Sequence, residues 1–516
     1  MTAAWIRGSD EFTAMGRLSL EIFRSRPRNV FAAFALIAVL KITLVAIYGP
    51  ISVPDTSGYV TFARAILQSD TWPHDAQLSS GAVPLFAVRM IGYPAILATA
   101  MEIGGTNWPY LVVALQFMVT IAALWAIYAL ALELGLSWQL AVFAVVAFAT
   151  SEQLVTDQCL LTDSLNADFI IIALFILARG IRSGRPLSVW GAAAAGALLA
   201  LAFLLREAMP LLAAMMLPLL IVRCFRGWSG ALVLRSVLMG TLVLVPLMTT
   251  VEIYKAWNSH RTGERFVTTS AQVTLMYALI NAAKHDHTVF DGDAPLDQAA
   301  RRAVHNYVFD EVAPISSDLV EQGYRPTDVA RMSQAHYFAT WRSRPVAMFH
   351  LLRDHISEEV AKLAFRPLSA SCDLIEWATA VRQCPDYRDL MRAVRSGFVH
   401  EPHGSLAFFL FQTCELTVSI GLFSAFVVGV PVLWVRSWRR NGWRVAGQEW
   451  LVFTFWAMYV GWFLLYAAVN MERRYMNPVV PLSILGALVV WQEMVRSALV
   501  PGAWHRNTAD PRTAQT

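Results

Sequence analysis

Long apolar segments constrain this chain more than any other feature of its sequence. A helix needs about 20 apolar residues to cross the ~30 Å hydrocarbon core of a bilayer, and about ten segments approach that length. Hydrophobic residues make up 56% of the chain and charged residues 15%, against about 25% charged in soluble domains. The sequence therefore predicts an all-α polytopic membrane protein with segments at 29–49, 108–132, 137–151, 165–181, 187–205, 208–222, 231–254, 405–435, 449–469 and 478–495.

Arginines beside these segments predict the orientation of the chain. Four groups fall on one side of the membrane if the segments alternate, and short loops rich in Lys and Arg face the cytoplasm. Both termini are then cytoplasmic, as the segments 1–28 and 497–516. Because residues 1–28 contain no apolar core, we expect the first helix to remain as an anchor. The groups are Arg24, Arg26 and Arg28; Arg179, Arg182 and Arg185; Arg223 and Arg226; and Arg436, Arg439, Arg440 and Arg444.

The opposite face receives the polar parts of the chain. The transmembrane region 29–254 carries outer loops at 50–107 and 152–164, and a second transmembrane region spans 405–496. Between them, 255–404 is too charged to cross the membrane and shows helical periodicity at 295–313, 326–343 and 345–365, with prolines at the boundaries. We expect a helical extracytoplasmic domain there. Because that compartment is oxidising, a disulfide between Cys372 and Cys384 is plausible.

Acidic residues in the outer loops are the first candidates for chemistry. Asp55 and Tyr59 are four residues apart, so a helix that starts near Pro54 places both on one face. The 152–164 loop adds Glu152, Asp157 and Asp163. The alternative reading is structural, because Asp55 and Asp163 both stand where a helix N-cap is expected.

Arginines on the same face are the second group of candidates. They would suit a lipid-linked phosphate, which needs charge-assisted hydrogen-bond donors. They could equally bind any anionic lipid headgroup or extend along the interface. The residues concerned are Arg89, Arg206, Arg261, Arg265, Arg473 and Arg474.

Four short motifs, in this order and on one face, resemble a known family. They are Pro54-Asp55-x3-Tyr59, Arg89-x2-Gly92-Tyr93-Pro94, Leu161-Thr162-Asp163-Ser164-Leu165 and Glu472-x-Arg474-Tyr475-x2-Pro478. The set resembles the GT-C glycosyltransferases that use polyprenyl-phosphate sugars. Within them it is most similar to the bacterial aminoarabinose transferase of lipid A and the lipopolysaccharide galacturonosyltransferases. The resemblance covers about residues 50–480.

The resemblance implies roles for individual residues. Asp55 matches the catalytic acidic residue that takes the proton of the acceptor hydroxyl, and Asp163 matches a second acidic residue of the same site. Arg89 and Arg261 match positions that contact the carrier phosphate. The remaining residues assigned to substrate or carrier phosphate are Tyr59, Tyr93, Arg206, Glu472, Arg474 and Tyr475.

The resemblance also implies the setting of the reaction. It implies inverting transfer from a polyprenyl-phosphate donor to an envelope glycan, lipid or protein, on the periplasmic face of a bacterial inner membrane. No cofactor is firmly indicated. A divalent metal stays open, because Thr56 stands where the family often has a second acidic residue. A low-dielectric surrounding would raise the pKa of the Asp55 carboxyl toward the working pH.

Two other classes of function remain as alternatives. A transporter or flippase of a lipid-linked substrate would show ionisable residues at mid-membrane, and the segments are interpreted as nearly free of charge apart from Lys41. A non-catalytic scaffold in envelope glycan assembly is the third reading. The small patch of His285, Asp286, His287, Asp291 and Asp293 is a weak metal candidate, since it lacks a clear ligand spacing. The net charge of +4 gives no reason to expect nucleic-acid binding.

Overall fold

The computed structural model describes residues 27–68, 88–183, 185–222, 230–359, 365–380, 404–441 and 447–499. In this part of the chain the regular structure is helical, apart from an isolated parallel β-bridge between Ile51 and Cys159. The chain divides into two compact units, Met1–Gly49 and Pro50–Thr516. The first contributes helix α1, Pro27–Tyr48. The second carries every residue of the candidate site.

The described residues of the first half of the second unit form mostly apolar helices. Ser137 and Ser188 cap two of them by accepting hydrogen bonds from the backbone N–H groups of Leu140 and Gly191, as expected for serine at an N-cap. The helices are α2 (Pro54–Gln68), α3 (Gly92–Gly104), α4 (Trp108–Glu133), α5 (Trp138–Ala149), α6 (Glu152–Thr156), α7 (Asp163–Ala178), α8 (Val189–Leu205), α9 (Met209–Met216), α10 (Pro218–Val222) and α11 (Gly230–Thr262).

The segment 255–404 contains the predicted helices, with two differences. The helix expected at 295–313 is interrupted after Ala303, since Tyr307 further along has a positive φ of 58°. The chain also forms helices at Ala271–Ala283 and Pro367–Thr379 that were not predicted. Proline at the first position of four of these helices agrees with its preference there. The helices are α12 (Ala271–Ala283), α13 (Pro295–Ala303), α14 (Val312–Glu321), α15 (Pro326–Ser343), α16 (Pro345–Glu359) and α17 (Pro367–Thr379).

These helices share a local apolar core with Met276, Leu279, Ile315 and Met348 among its buried residues. The chain then continues through α18 (Gly404–Ser424), α19 (Val430–Asn441), α20 (Gly447–Val469), α21 (Arg473–Met476) and α22 (Val480–Leu499). The core is fixed to the end of α20, because the Tyr337 hydroxyl donates a 2.7 Å hydrogen bond to the Ala468 carbonyl.

The prediction of a multi-pass membrane protein is confirmed, whereas the structure does not establish the number of crossings. Among the described residues, five helical stretches are long and apolar enough to cross: Arg28–Tyr48, Gly92–Glu133, Gly230–His260, Phe408–Arg440 and Gly447–Val469. Other predicted segments form shorter apolar helices. The one at 208–222 is broken at Leu217, since Pro218 lacks the N–H that would continue it.

A short stretch of backbone pairing brings the first outer loop to the second. The Ile51 amide donates to Gln158 O at 3.0 Å, and the Leu160 amide donates to Ile51 O at 3.0 Å. Thr56 adds a 3.1 Å hydrogen bond from its hydroxyl to Leu160 O. The first turn of α2 is therefore held against the turn that leads into α7, and this places the two predicted acidic residues in one region.

Candidate active site

Asp55 lies in the first turn of α2, and both of its carboxylate oxygens accept hydrogen bonds from arginines. Arg89 Nη2 lies 2.6 Å from Oδ1, and Arg474 Nη1 lies 2.8 Å from Oδ2. The side chain is 28% exposed, so the carboxylate remains accessible from solvent. These contacts are not those of an N-cap, because the oxygens of Asp55 bind guanidinium groups. In the first turn of α2 it is the Thr56 hydroxyl that accepts a backbone hydrogen bond, from the Val53 amide at 3.0 Å.

Each arginine has a second anchor besides Asp55. Arg474 Nε donates to Glu472 Oε2 at 2.6 Å, and the Tyr475 hydroxyl donates to the other oxygen of Glu472 at 3.0 Å. Arg89 lies 4.9 Å above the centre of the Tyr59 ring, and its Nη1 is 3.4 Å from the Tyr59 hydroxyl. The guanidinium groups are thus held in place by groups other than the carboxylate between them.

Asp163, the second predicted acidic residue, belongs to the same cluster. It begins α7, is only 1% exposed, and forms an ion pair through Oδ1 with Arg206. The Arg206 guanidinium also stacks on the Tyr475 ring, 4.5 Å from its centre. Asp163 Oδ2 is buried without a hydrogen-bond partner in the described structure, which is unusual for a charged oxygen.

The aromatic residues of the first two motifs form the wall behind Asp55. The Tyr59 and Tyr93 rings meet edge to face at 5.2 Å between centres. Tyr93 is fully buried, and its hydroxyl donates a 2.9 Å hydrogen bond to Gln116 Oε1. Gln116 Nε2 in turn donates to Asp157 O at 2.9 Å. Tyr93 therefore braces the cluster, and Tyr59 is the tyrosine that contacts an arginine.

The charge environment lowers the pKa of Asp55, which corrects the prediction that it is raised. Burial does raise this pKa, but the charges of Arg89 and Arg474 and their hydrogen bonds outweigh burial and bring the pKa to about 2. Arg474 shows the complementary effect: burial lowers its pKa, yet the charges of Asp163 and Glu472 keep it above the usual value. The prediction was wrong because Arg474 is distant in sequence and was not expected to reach Asp55.

Three of the predicted residues, Arg261, Cys372 and Cys384, are not placed in this cluster. Arg261 lies in the last turn of α11, and its side chain is outside the described structure, so its role stays a prediction. Cys372 lies in α17 and is disulfide-bonded, whereas Cys384 is outside the described residues. Their pairing therefore also stays a prediction.

A second polar cluster is buried behind the site, and of its members the sequence analysis named only Asp157. Thr120 Oγ1 lies 2.8 Å from Asp157 Oδ1 and 2.6 Å from Asp168 Oδ2. Gln153 Nε2 approaches both carboxylates, at 2.6 and 3.2 Å, and Asn477 bonds Gln153 Oε1 from the C-terminal side of the chain. The available signal was the i, i+4 spacing of Gln116 and Thr120, two polar residues on one face of an apolar helix.

The predicted segments are also less free of charge than expected. Asp168 lies within the segment 165–181, and Glu415 lies within 405–435; both are buried. Glu415 has a structural role, since it accepts hydrogen bonds from the Leu368 amide at 2.8 Å and the Ser369 hydroxyl at 2.6 Å at the start of α17. A carboxylate in this position satisfies the unpaired N–H groups of a helix N-terminus.

The described residues do not favour a metal at the site. Within the described ranges, no group of three or more His, Cys, Asp or Glu side chains is placed to hold a metal ion. Two arginines occupy the oxygens of Asp55 and would repel a divalent cation. In the patch at 285–293, His285 pairs with Asp354 at 2.9 Å and His287 contacts Tyr307 at 2.6 Å.

The described residues define a multi-pass, all-α membrane protein with an arginine–carboxylate cluster around the starts of α2 and α7. No family model and no curated protein matches the chain. Solved structures that match include AglB, the archaeal oligosaccharyltransferase from Archaeoglobus fulgidus, in complex with an inhibitory peptide and a dolichol-phosphate. The identity is 11% and the TM-score 0.49, over 95% of this chain and 52% of that one.

ArnT from Cupriavidus metallidurans, bound to undecaprenyl phosphate, also matches. The identity is 15% and the TM-score 0.34, over 93% of this chain and 81% of that one. Both are GT-C glycosyltransferases, the class that the motif set resembles. The chain spans about half the length of the archaeal enzyme. Because the TM-scores are below 0.5, the function has to be argued from the site itself.

Proposed function

We propose that the chain transfers a sugar from a polyprenyl-phosphate donor to a hydroxyl of an envelope acceptor by a single inverting displacement. The observation that supports this proposal is that a partly exposed carboxylate, Asp55, lies between two guanidinium groups near the ends of apolar helices. A displacement at an anomeric carbon needs a base for the attacking hydroxyl and cations for the leaving phosphate. Asp55, Arg89 and Arg474 provide these groups within one cluster.

The steps follow from these residues. Asp55 takes the proton of the acceptor hydroxyl while that oxygen forms its bond to the anomeric carbon. The bond from this carbon to the phosphate oxygen breaks, and the phosphate leaves with the electron pair. Arg89 and Arg474 hold the phosphate through charge-assisted hydrogen bonds. Asp163 and Glu472 fix the arginines Arg206 and Arg474 and so shape the site.

The setting of the reaction is part of the same proposal. The arginine-rich short loops would face the cytoplasm, so the Asp55 cluster would lie on the periplasmic side of a bacterial inner membrane. The acceptor would be lipid A, another glycan or a protein, reached through the exposed edge of the cluster. Helices α12–α17 would then lie over the membrane part on that side.

No observation favours transport over transfer. The buried charges in the apolar segments would fit a transport path, but Glu415 caps a helix and Asp168 belongs to the hydrogen-bonded cluster with Thr120 and Gln153. A scaffold would have no need for a partly exposed carboxylate clamped by two arginines.

The test compares envelope glycolipids and glycans by mass spectrometry in strains with the wild-type gene, a deletion, and the deletion complemented with Asp55→Asn. Asp318→Asn serves as the control, because Asp318 pairs with Arg302 at 2.6 Å on the surface of the outer helices and the change removes the same charge. We expect one sugar mass to disappear in the deletion, to stay absent with Asp55→Asn and to return with Asp318→Asn. Full restoration by Asp55→Asn would contradict the proposal.

A further inference from the structure

The Asp55 carboxylate is a weak base in the substrate-free site. Each of its oxygens accepts a short charge-assisted hydrogen bond, from Arg89 at 2.6 Å and from Arg474 at 2.8 Å. A lone pair remains on each oxygen, but two adjacent guanidinium groups lower the affinity of the carboxylate for the proton that a general base must take. The two arginines that would bind the phosphate are the same two that hold the base.

The charges of the described side chains in the cluster already balance without an additional anion. Among the described side chains of the site, three carboxylates face three guanidinium groups: Asp55, Asp163 and Glu472 with Arg89, Arg206 and Arg474. A phosphate added to this balanced set would give a partly buried site a net negative charge, which is unfavourable where water screens poorly. The phosphate gains its hydrogen bonds at the lowest cost if one carboxylate turns away.

Asp55 is better suited to move than Asp163. The Asp163 side chain is 1% exposed and is paired with an arginine that stacks on Tyr475, so leaving that pair would strand a buried charge. Asp55 is 28% exposed and can exchange its arginines for water. Its partners would keep their positions, because Arg474 is also held by Glu472 and Arg89 by Tyr59.

From this geometry, and resting on the proposed function, we infer that the carrier phosphate and Asp55 compete for the same two guanidinium groups. Arg89 and Arg474 are positioning residues for Asp55 until the donor arrives. The phosphate of the donor then replaces the carboxylate, and the released Asp55 can accept a proton from the acceptor hydroxyl. After transfer, Asp55 passes this proton to water, binds the arginines again and displaces the carrier phosphate.

The test measures the dissociation constant of undecaprenyl phosphate for the purified full-length protein in detergent micelles. Asp55→Asn removes the competing charge, so we expect tighter binding by roughly tenfold, because a tenfold step corresponds to about 1.4 kcal/mol, the sum expected of two partly exposed ion pairs. Asp55→Ser should tighten binding in the same direction, which guards against misfolding of a single variant. Asp318→Asn, with the same change in net charge, should bind as the wild type does.

The outcomes separate this inference from the proposed function. Asp55→Asn/Arg474→Gln should lose most of the gain, since the phosphate then has only Arg89. If the wild type binds undecaprenyl phosphate and both Asp55 variants bind it equally or more weakly, competition is refuted while the transferase proposal stands. If no variant binds it, both fail. If Asp318→Asn increases the affinity for undecaprenyl phosphate as much as Asp55→Asn does, the effect comes from net charge alone. That result would also overturn the inference.

Discussion

The Asp163–Arg206 ion pair allows a quantitative test of the electrostatics of the site. Asp163 is 1% exposed and Arg206 17% exposed, so this is the most buried ion pair of the cluster. Arg206→Met keeps the aliphatic stem of the side chain but leaves the Asp163 carboxylate without its ion-pair partner. Removal of one member of a buried pair typically costs about 3–5 kcal/mol.

Two features of the site modify this magnitude. Arg474 also acts on Asp163 through its charge, so the cost should lie near the lower end, about 3 kcal/mol. Loss of the stacking of Arg206 on Tyr475 adds about 0.5–1 kcal/mol. Asp163→Asn should cost less than Arg206→Met, because Arg206 can still be solvated and keeps its aromatic contact.

Thermal unfolding in detergent, followed by intrinsic fluorescence of the 18 tryptophans, provides the measurement. For a chain of this size we expect about 1–2 °C per kcal/mol, so Arg206→Met should unfold roughly 4–8 °C below the wild type. Asp163→Asn/Arg206→Met should recover to within about 2 °C of Asp163→Asn, since the stranded charge is gone. The reasoning is refuted if Arg206→Met unfolds as the wild type does, or if the double variant is less stable than Arg206→Met.

Three further predictions follow from single contacts. The pKa of Asp55 is lowered to about 2, because two arginines outweigh burial. The base is therefore ionised above that pH, and kcat/KM should show no acid limb from this group between pH 7 and pH 4. An acid limb in that range that is shifted by Asp55→Glu would contradict this prediction. Gly92→Ala would place a Cβ atom 2.6 Å from the backbone oxygen of Leu204 and should destabilise by about 1–3 kcal/mol in thermal unfolding, whereas Gly421→Ala, with nothing within 4 Å, should not. Tyr93→Phe leaves a buried glutamine oxygen without its donor and should cost about 1–3 kcal/mol; an unchanged unfolding temperature would show that the hydroxyl is dispensable.

Much of the helical structure could be predicted from local patterns. The helix expected at 326–343 has these bounds in the structure, and the segments expected at 29–49 and 449–469 correspond to Pro27–Tyr48 and Gly447–Val469. Apolar length, periodicity and proline at the first helical position act within one segment. The split after Ala303 was not predicted, because the apolar spacing continues through a position where Tyr307 adopts a positive φ.

Most residues of the candidate site could be predicted from the sequence, but the contacts between them could not. The ordered motifs drew attention to Asp55, Arg89, Asp163 and Arg474, which the structure brings into one cluster. Of the polar residues behind them, only Asp157 was named. The i, i+4 spacing of Gln116 and Thr120 marks a polar face on an apolar helix, but it does not show that Asp168, in another segment, will be the partner of Thr120.

The sequence by itself determined that this chain is an α-helical membrane protein whose acidic and basic side chains gather at the ends of apolar helices, since burial of apolar residues depends on composition and spacing along each segment. Only the tertiary structure decided which charges meet. Arg474 reaches Asp55 across 419 positions of the chain, and together with Arg89 it reverses the direction of the pKa shift that burial alone would produce in Asp55. The interaction of two charges depends on their distance in space and on the water between them. Neither quantity can be determined from the residues that are neighbours in the sequence.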